Sequence, residues 1–181
     1  DVYQRRLYGI RYVDASDRVY TWIEGILNIY DPSLQRIKQH AFALGNQNNI
    51  TSNVQKVVLD ESGNYRLGIY GGKGLYTLNK EKEEYTEIKS ATSAANQVYR
   101  IYDIVKTSKH GMLVLDHNEI FSLNQEENSL NAFNFRSKKQ GVIYLGMAQD
   151  RHKNIWISTK NHGLIKIDTI LRASYYLDEL K

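Results

Sequence analysis

The sequence predicts an all-β fold assembled from repeated four-stranded sheets, and three observations carry the prediction. Short apolar runs broken by Gly, Asn, Asp and Ser fill the chain from end to end. No long segment keeps a helical apolar period with a cap at each end. A hairpin-like pattern also recurs at nearly constant spacing, which is the mark of a repeat architecture.

The pattern is plainest in the last copy. Asp150 and a polar turn lead into Ile155–Thr159, which is rich in β-branched and aromatic residues. A break over Lys160–Gly163 comes next, and then Leu164–Asp168. The second copy runs from Asp60 through Asn64 and Leu67 to Gly74, Leu75 and Asn79. The third covers Gly111–Asn124, and the first covers Asp14–Asp31. The closing residues Asp31, Asn79, Asn124 and Asp168 are separated by 48, 45 and 44 residues.

Each copy has flanks. An apolar strand precedes each hairpin: Gly9–Val13, Val54–Leu59, Val98–Val105 and Val142–Met147. A more polar strand comes after it: Gln35–Phe42, Tyr85–Lys89, Leu130–Phe135 and Ala173–Leu177. The apolar strand is expected to be innermost and the polar one outermost. The repeats then span about 7–43, 53–90, 98–136 and 141–178 of a single domain. Four-stranded repeats of this length specify the blades of a β-propeller.

Composition narrows the class further. Hydrophobic residues make up 41% of the chain, enough for a packed core. A net charge of +4 without long Lys/Arg runs gives no indication of nucleic-acid binding. The absence of cysteine excludes disulfides and thiolate metal sites. No apolar run reaches the roughly 20 residues of a membrane span, and no signal peptide is visible. The chain opens on Asp1 and stops at Lys181 just after a strand-like segment, so it is expected to be a piece of something longer.

Asp150–Asp168 resembles the two-component regulator propeller repeat, in which Asp-x-x-Gly-Asn-Ile-Trp-Ile-x-Thr is followed by Gly-Leu-x-x-Ile-Asp. Lys153 stands where that family has Gly. In the second copy Arg66 replaces the Trp, and in the third Glu119 replaces the Gly before the apolar pair. Leu44–Val54 is similar to the family's linker between blades. The resemblance implies the extracytoplasmic, periplasmic sensor region of a bacterial hybrid two-component protein. Many members of that family sense glycan breakdown products and signal to a histidine kinase lying elsewhere. Family propellers have about seven blades. Four are therefore expected to belong to a larger ring, with a closed four-bladed ring or a pair of copies as alternatives.

No catalytic signature stands out, so a non-enzyme without cofactor or metal is expected. Gly71–Gly74 reads as a tight turn, because a phosphate loop needs Gly-Lys-Ser/Thr before a helix. The Asp14 and Asp60 segments read as turns in which Asp accepts backbone N–H bonds, not as calcium loops. Trp156 is expected to pack between sheets, and Trp22 is expected in the core. Ligands of propellers bind on loops at one face. Trp22, Lys73, His117, Arg136, Lys160, Asn161 and His162 fall in such loops and suit an oligosaccharide or another polar or anionic ligand. The expected partners are therefore that ligand and either the remaining blades or a second copy. A protein-interaction scaffold and a propeller lyase or hydrolase are the alternatives.

Overall fold

The computed structural model describes residues 10–14, 16–23, 26–41, 54–69, 74–79, 84–90 and 100–176. They form strands and turns, and none of the described residues is helical.

Repeat 1 comprises β1 (Ile10–Val13), β2 (Val19–Ile23), β3 (Ile26–Asp31) and β4 (Arg36–Ala41). Repeat 2 comprises β5 (Val54–Leu59), β6 (Tyr65–Ile69), β7 (Gly74–Asn79) and β8 (Glu84–Ser90). Repeat 3 comprises β9 (Asp103–Thr107), β10 (Gly111–Leu115), β11 (Ile120–Asn124) and β12 (Ser129–Ala132). Repeat 4 comprises β13 (Tyr144–Gln149), β14 (Ile155–Thr159), β15 (Leu164–Ile167) and β16 (Ala173–Tyr176). Each repeat is an antiparallel meander in chain order.

The apolar first strands are innermost, as expected: β1 packs on β5, β5 on β9 and β9 on β13. Three apolar layers fill the spaces between successive repeats. Tyr20 and Ile29 meet Val54, Val57 and Tyr65 between repeats 1 and 2. Val58, Leu75 and Ile88 meet Ile101, Ile104 and Met112 between repeats 2 and 3. Leu113, Leu115 and Ile120 meet Met147, Ile155 and Ile157 between repeats 3 and 4. Alternation along each strand sends successive side chains to opposite neighbours, so repeats 2 and 3 each have one face toward the preceding sheet and one toward the next.

Two features depart from the expected pattern. The outer strands β8 and β12 pair in parallel, Ser129 with Lys89 and Leu130 with Ser90. This seam joins repeats 2 and 3 into one eight-stranded sheet. The inner strand of repeat 3 begins at Asp103 instead of Val98. Ile101 precedes it outside any strand, yet is fully buried. Ile101 lies against Gly68, where a Cβ would come 2.5 Å from its Cγ2.

The repeated Asp holds the first turn of three repeats. Asp14 Oδ1 accepts the N–H groups of Ser16 and Arg18, and Asp150 Oδ1 those of His152 and Asn154. Asp60 Oδ1 accepts the N–H of Asn64. The other carboxylate oxygen accepts from the side chain six residues on. Tyr20 donates its hydroxyl to Asp14 at 2.7 Å. Arg66 donates Nε and Nη2 to Asp60 at 2.9 and 2.8 Å. Trp156 donates Nε1 to Asp150 at 2.8 Å. Three unlike residues therefore perform one task, and the Arg at position 66 preserves the donor that the Trp supplies elsewhere. In repeat 3 the turn is held by Thr107, whose hydroxyl accepts from His110 N–H and donates to the Gly111 carbonyl.

The residue three after each Asp lies in the left-handed region: Asp17, Gly63 and Lys153 at φ 58°, 79° and 66°. Gly is the least strained residue there, which explains the resemblance's Gly at the place of Lys153. Asp31, Asn124 and Asp168, which close the repeats, cap the turn into the outermost strand by accepting backbone N–H groups.

Candidate functional site

At the end where the inner strands begin, the middle loops of repeats 3 and 4 converge on Gly141–Tyr144. The His117 carbonyl accepts the Tyr144 N–H at 2.9 Å, and the Lys160 N–H donates to the Ile143 carbonyl at 2.9 Å. Asn161 Oδ1 accepts the Ile143 N–H at 3.3 Å, while its Nδ2 donates to the Gly141 carbonyl at 3.0 Å. His117, Lys160, Asn161 and His162 are therefore gathered around the start of one inner strand. Asn161 spends both ends of its amide on holding that strand in place. Lys160 leaves its side chain exposed.

His117 belongs to a cluster that sequence reasoning saw only in part. Its Nδ1 lies 3.1 Å from the Tyr102 hydroxyl, with ring centroids 5.5 Å apart. Asp116 beside it accepts the Arg100 N–H at 3.1 Å. Burial raises the Asp116 carboxyl above its ordinary value, against the N–H groups of Arg100, His117 and Asn118 that favour its anion. Burial also pushes the Tyr144 hydroxyl up to about 12, so it stays protonated at neutral pH. Tyr102 carries no sequence signal of its own: it lies just before the strand that the apolar pattern placed too early.

His162 is a turn residue by its backbone. Its N–H donates to Thr159 Oγ1 at 2.9 Å, and that hydroxyl donates to the Gly163 carbonyl at 2.9 Å. Thr107, His110 and Gly111 make the same arrangement at the opposite end of repeat 3. Gly111 and Gly163 share φ 63°. His110 rests edge-on against Phe133 at 5.2 Å, and burial, with Lys109 nearby, lowers its pKa. His162 Nδ1 is buried without a hydrogen-bond partner, alone in this among the described residues.

The other expected site residues lie apart or outside the described residues. The Arg136 N–H donates to the Leu171 carbonyl and its own carbonyl accepts from Ala173 N–H, at the start of the outermost strand β16. That position is on the outer edge of repeat 4 and not among the converging loops. Trp22 pairs with Leu27 across β2 and β3, and its side chain lies outside the described residues. Lys73 and the rest of 70–73 also lie outside them. Gly74 has φ 82°, the positive value expected for that turn. The arrangement of Tyr102, Asp116, His117 and Lys160 offers an aromatic surface, a carboxyl, an imidazole and a cation, which suits hydrogen bonding and stacking with a polar ring-shaped ligand.

No family model matches this chain, and no curated protein matches it in sequence. Solved structures match it closely in fold. Virginiamycin B lyase from Staphylococcus aureus aligns with a TM-score of 0.70 at 11% identity, over 96% of this chain and 56% of the lyase. PorZ, a surface component of the type-IX secretion system of Porphyromonas gingivalis, gives 0.72 at 11% identity, over 97% of this chain and 28% of that one. The extracellular domain of a protein from B. thetaiotaomicron described as a hybrid two-component system gives 0.68 at 14% identity, over 98% of this chain and 23% of that one. At these identities the likeness is one of fold: all-β and propeller-like. This chain spans just over half of the lyase and about a quarter of the other two.

Proposed function

We propose that this chain is the ligand-sensing, extracytoplasmic part of a bacterial two-component signalling protein, a four-bladed arc of a larger propeller. The observation that carries the reading is the Asp150–Asp168 repeat: its Asp, Trp and Gly-Leu match the sensor family's pattern, with Asp150 and Trp156 bonded at the first turn and Gly163 supplying the positive φ of the second. The fold likeness to an extracellular two-component domain supports it. The ligand is a glycan-derived or other polar molecule, held by the loops around Tyr102, His117 and Lys160. No cofactor takes part. Binding alters the packing between blades, and the change passes to a kinase module outside this chain and across the inner membrane from the periplasm.

A second reading, a propeller lyase, draws on the Asp116 carboxyl beside the His117–Tyr102 pair, because burial shifts that carboxyl in the direction a general acid needs. Thermal-shift and calorimetric titration with a panel of acidic and neutral glycan fragments separates the two. The sensor reading expects a stabilising fragment that is recovered unchanged, with binding lost in His117→Ala and Lys160→Ala. A fragment consumed on incubation selects the lyase. Binding that survives both substitutions removes this face from consideration.

A further inference from the structure

The large hydrophobic side chains left exposed belong, among the described residues, only to the first and last repeats. They are Val13, Tyr30, Leu34 and Ile37 in repeat 1, and Leu145, Leu164, Ile170 and Tyr176 in repeat 4. Register shows that four of them, Tyr30, Ile37, Leu164 and Tyr176, are interior positions without a neighbouring sheet among the described residues.

In repeat 4, Trp156 faces Lys166 across the β14–β15 ladder, and Leu164 faces Tyr176 across β15–β16. The same places in repeat 2 hold Arg66 opposite Thr77, and Leu75 opposite Ile88. In repeat 3 they hold Leu113 opposite Ser122, with Ile120 bonded to Phe133. Arg66, Leu75, Ile88, Leu113, Ile120 and Phe133 are all buried beneath the following repeat. Leu164 and Tyr176 are 39% and 49% exposed, and Trp156 is half-buried against Tyr176 and Lys166.

The opposite face of repeat 1 shows the complementary case. Tyr30 pairs with Ile37 at the place where Leu123 pairs with Leu130 and Ile167 with Ala173. The latter four are buried against the preceding repeat, whereas Tyr30 and Ile37 are 40% and 60% exposed.

We infer that these two faces bind each other between copies of this chain: the outer face of repeat 4 in one copy receives the outer face of repeat 1 in a second, and two copies close head to tail into one ring. Three internal interfaces, alike in their apolar side-chain layers, show what covers each face. They also fix the polarity, because a next-facing surface has been paired only with a preceding-facing one. Such a contact is heterologous, so it closes a ring or runs on as a filament. This chain spans 56% of a propeller lyase, so two copies amount to a ring slightly larger than that one. The inner strands β1 and β13 do not pack as successive inner strands do, so the arc is open to receive a partner. At the new interface Lys166 takes the place of Thr77, and Gln35 that of Asn128, which share φ values of 48° and 49°. Thr77 bonds Asn128 between repeats 2 and 3, so Lys166 is assigned Gln35 of the second copy as acceptor. The inference rests on the blade reading and is independent of the ligand.

Sedimentation velocity over a concentration series tests it, using the chain and two charge variants at exposed positions, Leu164→Asp and Ile37→Asp. The chain is expected to sediment as a dimer, and each variant as a monomer at tenfold higher concentration. An equimolar mixture of the two variants is expected to recover a dimer, because it retains one intact repeat 4 face and one intact repeat 1 face. Recovery in the mixture also shows that both variants are folded. A chain that stays monomeric up to its solubility limit overturns the inference. So does a dimer broken by Leu164→Asp but untouched by Ile37→Asp, which marks a face-to-face pair, and so does an open series of larger species.

Discussion

The smallest unit of this structure is a carboxylate that does two jobs. One oxygen of Asp150 gathers the turn's N–H groups, and the other anchors the ring of Trp156, with Asn154 adding a further donor. The side chains of Asn154 and Trp156, followed by the backbone donors, hold the Asp150 carboxyl well below the usual carboxylate range. A carboxyl depressed in the folded state contributes stability above its unfolded value, near 3.9, and loses that contribution as the pH falls toward the folded value. Asp150→Asn is therefore expected to lower the melting temperature at pH 7, with the deficit to the parent shrinking below about pH 4; scanning calorimetry across that range checks it. The sequence shows the Asp and the aromatic but not their bond. A spacing of six becomes a contact only once the turn has folded back. Arg66 shows how this misleads: it breaks the resemblance in letters while supplying the same donor, and it adds a reach to Asn128 of the next repeat.

At the scale of elements, hairpins were legible and their neighbours were not. The alternation around Ile155–Thr159 and Leu164–Ile167 locates both strands because each has two chemically distinct faces. The inner strand of repeat 3 was misplaced because Ile101 and Tyr102 continue its apolar pattern, although Ile101 is buried by packing and Tyr102 adds only its N–H, to the Leu115 carbonyl. Ile101 fills the space that a missing side chain at Gly68 leaves open. Gly68→Ala is expected to overpack this contact and cost about 1–3 kcal/mol, read as a lower urea midpoint with an unchanged slope. Candidate binding residues were legible only as loop members. The Asn161 amide is occupied in holding the approach to β13, and His162 holds its turn through its N–H alone, while Tyr102 was found through His117.

For the whole molecule, the repeat period specified the strand order, because four patterns in register leave one sensible arrangement. The period carries no information about the space beyond the last sheet. Trp156 was expected between sheets, as a position of that kind is in every earlier repeat. It is half-buried here because nothing among the described residues covers that side of repeat 4. The parallel seam between β8 and β12 was equally out of reach of sequence, since it depends on how far two neighbouring sheets splay at their rims.

That seam sets apart the two central sheets. Repeats 2 and 3 are stitched at the rim by a two-residue parallel ladder, and repeats 3 and 4 more lightly by the main-chain bonds of Arg136 to Leu171 and Ala173, while the inner strands of each successive pair pack at the axis. Opening repeats 2 to 4 requires rim and axis attachments to fail together, so they form one cooperative unfolding unit, whereas repeat 1, held among the described residues by side-chain layers and inner-strand packing, peels away singly. Native-state amide exchange is expected to be slowest in β6, β7, β10 and β11 and to report one shared opening free energy there, with faster and independent exchange in β2. The durable part of the chain is then its middle, and repeat 1, one of the two sheets assigned a partner, is the one that opens first.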